Sequence, residues 1–149
     1  MPPIAYGMLW LTSMCDGAQK GVTMSEKHTP VVLQRRELAA NVLTFTLDTE
    51  DTALQERAAS ASEGRAAKTL VEQGSLRITL VAMTRDTVLQ QHQVSGPISI
   101  QPLRGTLRVT TEAGDIDLAA GDLATLGPDI AHTAHALDDC AFLLTVSMP

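Results

Sequence analysis

Two imidazoles carry most of the chemistry that the second half of the chain could perform. They are His92 in "LQQHQVSGPISIQPLRG" and His132 in "LGPDIAHTAHAL". Imidazole suits zinc, copper, iron and nickel, and as a neutral base it accepts a proton or a hydrogen bond near neutral pH. His92 has no second histidine two residues on and no glutamate on the next apolar run, so it reads as half of a metal site. His135 lies three residues beyond His132, which on a strand puts it on the opposite face.

Other candidates have structural explanations. Asp115 and Asp122 adjoin glycines, where aspartate closes turns by bonding local backbone, and Asp117 adds no metal-type spacing. The serines lack the Gly-x-Ser-x-Gly setting of a strained nucleophile turn. "GAQKG" is not a phosphate-binding loop. Cys15 and Cys140 form no CxxC pair. Cys140 opens an apolar strand and reads as a small buried hydrophobe, and two unpaired thiols are expected.

Composition excludes several partners. The net charge is -6, and no basic cluster exceeds Arg35-Arg36, which argues against nucleic acid. Aromatics are only 3%, so base-stacking platforms are absent and the core must be aliphatic. No apolar run reaches the roughly 20 residues of a membrane span. Residues 1–10 contain no Lys or Arg, unlike a secretory leader, and "MSEKHTPVV" from Met24 resembles a cytoplasmic start. Residues 1–30 are therefore expected to be a disordered segment or an extension arm of a cytoplasmic protein.

The elements that must position the histidines follow from periodicity. Residues 31–64 are expected to be irregular or helical. Within them "TEDTALQERAASASEG" predicts a helix capped at Thr49 or Asp51, carrying a thin stripe of Ala53, Leu54, Ala58 and Ala61 and ending at Gly64. From Arg65 short apolar runs alternate with turn signals every 8–12 residues, the rhythm of an all-β sandwich or barrel. Leu107 and Val109, Ile116 and Leu118, and Phe142, Leu144 and Val146 should each share an inward face. About eight short strands could bury those faces by curling into a jelly-roll barrel over residues 65–149.

Residues 65–147 resemble the small single-domain, RmlC-like members of the cupin superfamily. Their first motif reads Gly, five residues, His-x-His, three or four residues, Glu, six residues, Gly. Anchored on Gly105, it places His92 at the first histidine, Val94 at the second and Ile98 at the glutamate. The second motif reads Gly, five residues, Pro-x-Gly, two residues, His, three residues, Asn. Anchored on Gly121, it meets Gly127 for the proline, Asp129 for the glycine, His132 for the histidine and Ala136 for the asparagine. The resemblance implies a mainly β, double-stranded β-helix barrel whose four ligand positions retain His92 and His132 alone.

A held first-row metal needs three or four protein ligands. Val94 and Ile98 make the pocket drier, and desolvating a cation there is costly. Gln101 falls on the wrong face to substitute, whereas Gln90, two residues before His92, has the right parity. The expectation is therefore no cofactor. The pocket would be lined by His92, Val94, Ile98 and His132, and would bind a small molecule without catalysis. The competing reading is a metal-dependent dioxygenase or isomerase holding a divalent cation on His92 and His132, with Gln90 as a further ligand. A homodimer, covered or swapped through the Ala-rich 52–63 stretch, is compatible with either.

Overall fold

The computed structural model describes residues 41–149. The expected arm 1–30, the Met24 start, Cys15 and the first part of the 31–64 segment lie outside the described residues. Among the described residues no helix is long and apolar enough to cross a membrane.

Helix α1 spans Leu47–Ser60. It starts earlier than Thr49 or Asp51: Thr46 is the extended residue before it, and its carbonyl accepts from the Thr49 and Glu50 amides. The Thr46 hydroxyl makes no capping bond, and Asp48 and Glu50 supply negative charge to the exposed amides of the first turn. Leu47 packs at the edge of the cluster beneath the helix, which extends the helix toward its N-terminus. Leu54 and Ala58 of the stripe are buried, whereas Ala53 is exposed.

Nine strands follow: β1 Arg65–Gln73, β2 Leu76–Met83, β3 Val88–His92, β4 Ile98–Arg104, β5 Thr106–Thr111, β6 Gly114–Ala119, β7 Ala124–Leu126, β8 His132–Ala136 and β9 Cys140–Ser147. They form a five-stranded sheet in the order β1-β2-β9-β4-β7 and a four-stranded sheet in the order β3-β8-β5-β6. Every pairing is antiparallel. Inward residues of both sheets make one core. Val81, Met83, Ile98, Ile100, Phe142, Leu144 and Val146 come from the larger sheet; Leu89, Leu107, Val109, Leu118, Ala134 and Ala136 come from the smaller. Ile116 departs from the expected alternation and is 40% exposed. Strand β6 is the last of its sheet, with a neighbour on one side only, so its tip is not covered.

A second core lies outside the barrel. The β2 residues Leu80 and Ala82 face away from the interior and join Leu70 and Val71 beneath Leu54 and Ala58 of α1. Leu70 falls at a β-bulge between Thr69 and Val71, where β1 changes which side each residue faces. The Ala-rich helix thus covers a sheet face of its own chain, and alanine at 58 permits the close approach.

Arg104 joins the helix to the barrel. Its Nε and Nη2 donate to the two carboxylate oxygens of Asp51 at 2.9 Å each, Nη2 also donates to Gln55, and Nη1 donates to the Asp139 carbonyl. The Asp51 hydrogen bond is the main reason that the guanidinium holds its proton above the ordinary arginine range. Arg104→Met is expected to lower stability by about 1–2 kcal/mol, read from urea unfolding, because the bonds are charge-assisted but half-exposed.

Candidate functional site

Strand β8 begins at His132, and its alternation buries His132, Ala134 and Ala136 on the inward face. His132 itself is 3% exposed. Directly across the ladder stand His92 on β3 and Thr111 on β5, so the three form one row at one end of the four-stranded sheet. Opposed residues of an antiparallel pair share a face. The two histidine rings lie 4.2 Å apart between centroids and are tilted by 59°.

A bulge creates this juxtaposition. Pairing passes from Leu89↔Ala134 to His92↔His132, so three residues of β3 match two of β8. Leu89 and His92 therefore both reach the inner side despite their odd spacing. The same bulge corrects the expectation for Gln90. Simple parity put its side chain beside His92, but Gln90 is exposed and contributes its backbone carbonyl instead. Gln101 is exposed and His135 half-buried on the other face, as parity predicts, and His135 lies 3.9 Å from Asp86.

Each ring is oriented by backbone. His92 Nδ1 lies 3.0 Å from the Gln90 carbonyl and His132 Nδ1 lies 2.9 Å from the Ile130 carbonyl. A carbonyl only accepts, so both Nδ1 atoms donate, and the lone pair of each neutral ring resides on Nε2. Burial favours those neutral forms. It pushes the His92 imidazole down to about 4, opposed by the bond to Gln90 and aided by the neighbouring His132. Burial also lowers His132, opposed by its bond to Ile130.

Val94 and Ile98 are 4% and 5% exposed and belong to the apolar barrel core. Among the described residues no three His, Cys, Asp or Glu side chains come together as a metal cluster. Two imidazoles, with valine and isoleucine at the other two positions, do not fit a tightly held cation. Cys140 is unbridged, fully buried and held protonated, its thiol pushed up to about 12 chiefly by burial. It packs in the barrel core.

The motif turns survive more completely than the ligands. Four positions are glycine in the two motifs: 86, 105, 121 and 129. In this chain Gly105 and Gly121 have φ of +74° and +93°, while Asp86 and Asp129 have φ of +68° and +60°. Aspartate is one of the few non-glycine residues that tolerates the left-handed region. The Asp129 amide donates to the Val94 carbonyl, tying together the two loops that carry the motif positions. Counting six residues back from His92 reaches Asp86, so the sequence held this signal; Thr111, by contrast, is found only through pairing.

Solved structures share this architecture. A salicylate 1,2-dioxygenase from Pseudoaminobacter salicylatoxidans matches with a TM-score of 0.67 and 15% identity, over 84% of this chain and 40% of its own. A cupin superfamily protein from Desulfitobacterium hafniense matches with a TM-score of 0.58 and 15% identity, over 76% of this chain and 96% of its own. KdgF from Halomonas sp. matches at 0.54 and 22% identity, over 60% and 84% of the two chains. No protein-family model and no curated protein sequence matches the chain. The chain has the fold of the RmlC-like cupins, and at the four positions where the cupin motifs carry metal ligands its sequence has His92, Val94, Ile98 and His132.

Proposed function

We propose that the protein is a non-catalytic cupin module that binds a small molecule in the barrel mouth. His92 and His132 accept hydrogen bonds from the ligand through Nε2, and Val94 and Ile98 supply apolar wall. The observation that carries this reading is the paired, backbone-oriented imidazoles, with no third metal-type side chain gathered beside them among the described residues. Two acceptors a few ångströms apart recognise a hydroxyl or amide donor, and the aliphatic surroundings contribute area rather than reactivity.

A metal-dependent dioxygenase or isomerase is the competing reading. Nδ1 donation to a backbone carbonyl is also how metal-binding histidines are oriented, and one structure with this fold is named a dioxygenase. Native mass spectrometry with elemental analysis, on protein purified without added metal, separates the two. The expected result is a co-purified organic mass, little metal, and loss of that mass in the His92→Ala, His132→Ala double variant. Near-stoichiometric metal that survives dialysis and disappears in the double variant overturns the binding-module reading.

A further inference from the structure

Helix α1 is fastened to the barrel along a narrow line. Leu54 and Ala58 are its buried residues, and Leu47 packs at the edge of the same cluster. Ala58 contributes a single methyl group. The residues beneath, Leu70, Val71, Leu80 and Ala82, lie on β1 and β2, whose ladder continues into β9. Among the described residues no backbone hydrogen bond joins positions 47–60 to a strand.

Beside that line the helix is undercut. A groove of about 580 Å³ separates it from the barrel, lined on one side by Asp48, Gln55, Glu56 and Ala59 and on the other by Arg104 and Asp139. Arg104 spans the groove. It ends β4, and its Nε and Nη2 reach Asp51 and Gln55 on the helix while Nη1 holds the Asp139 carbonyl. Its guanidinium also stands among the carboxylates of Asp48, Asp51, Glu56 and Asp139 that line the same groove. Removing that cation leaves like charges on the two walls. Glu50 reaches Lys68 at 2.6 Å, but that pair is largely solvated.

Past the helix the chain is pinned. The Gly64 carbonyl accepts from the Thr84 amide at 2.8 Å, and the Thr84 and Thr87 hydroxyls lie against it. Gly64 has a φ of +66°, and a Cβ there would strike both hydroxyl oxygens. The helix can therefore swing away while β1 keeps its place. A 14-residue helix is marginal in water by itself, so α1 unwinds once it leaves the sheet.

We infer that residues 47–61 form a strap hinged at Gly64 and latched by Arg104, which opens while the barrel stays folded. Opening uncovers the apolar face of Leu70, Val71, Leu80 and Ala82. The latch thus sets how often a hidden apolar sheet face meets solvent, in the manner of other sub-global openings.

Thiol labelling of the full chain in native buffer tests this, with Ala82→Cys in a Cys15→Ser background and the labelled site read by peptide mass. Ala82 lies beneath the helix and Cys140 lies fully buried in the barrel core, so the two thiols report strap opening and whole-fold opening separately. The thiol introduced by Ala82→Cys is expected to label roughly a hundredfold faster than Cys140. Arg104→Met should speed it about tenfold, and Asp51→Asn several-fold, because the clamp is charge-assisted but half-exposed. Hydrogen exchange of the α1 amides, measured without the Ala82→Cys change, should show the same order. Equal labelling of the two thiols, with α1 amides exchanging no faster than those of β9, shows that the helix leaves only with the whole fold and overturns the strap. Early opening that neither Arg104→Met nor Asp51→Asn accelerates overturns Arg104 as its latch.

Discussion

Gly105→Ala is expected to cost roughly 3 kcal/mol or more of folding stability, while Gly121→Ala costs about 1–2 kcal/mol. Both glycines anchor a motif and both have positive φ, +74° and +93°. A methyl group at either position meets the same backbone strain. The surroundings separate them. A Cβ on Gly105 would collide with the Asp139 carbonyl oxygen and sit 2.8 Å from the Cβ of Cys140. Neither neighbour can easily yield: the Asp139 carbonyl accepts from Arg104, and Cys140 is fully buried in the core. A Cβ on Gly121 meets nothing within 4 Å. Chemical denaturation of the two variants measures the difference directly. Equal losses would mean that strain alone accounts for both positions and that the turn at Asp139 can move.

Acidification is expected to destabilise the protein between pH 6.5 and 4 through the histidine pair. Both imidazoles have lower proton affinity in the fold than the ordinary 6.5, His92 reaching about 4. The unfolded chain therefore binds protons first. The contribution is fully present above pH 6.5, declines as pH falls, and is gone below the folded value. Lowering pH from 7 to 4.5 should remove about 2 kcal/mol through His92, a figure reduced for its partial exposure, with His132 adding in the same direction. Protonating either ring also places positive charge against a neighbour whose ring centroid is 4.2 Å away. Urea unfolding at the two pH values tests the magnitude, and the His92→Leu, His132→Leu double variant should flatten the dependence. NMR titration of the His92 ring offers an independent check: a midpoint near 6.5 would show that the ring is solvated and that the pair does not face a dry interior.

The consequence for function is that burial favours the neutral form of both rings. A neutral imidazole whose Nδ1 hydrogen is committed to backbone presents an acceptor, suited to a hydroxyl or amide donor on a bound molecule. Val94 and Ile98 beside that polar row would make a binding surface that is wet on one wall and aliphatic on the other.

Much of this was legible in sequence because it follows from local rules. Period-two burial with glycine and aspartate turns marks strands whatever they pair with, and the runs from Arg65 onward correspond to the nine strands. The spacing of Gly105 and Gly121 from the histidines is a covalent distance along the chain, so the cupin motifs could be laid on His92, Val94, Ile98 and His132 from the sequence alone. Other features are properties of pairing. The β3 bulge brings Leu89 and His92 to one side and leaves Gln90 exposed, and nothing in "VLQQH" announces an extra residue relative to β8. Thr111 acquires its place only when strands far apart in sequence lie side by side. Side-chain period and turn propensity are written residue by residue, whereas register is settled by which hydrogen-bonded ladder buries the most apolar surface, and that choice belongs to the folded chain as a whole.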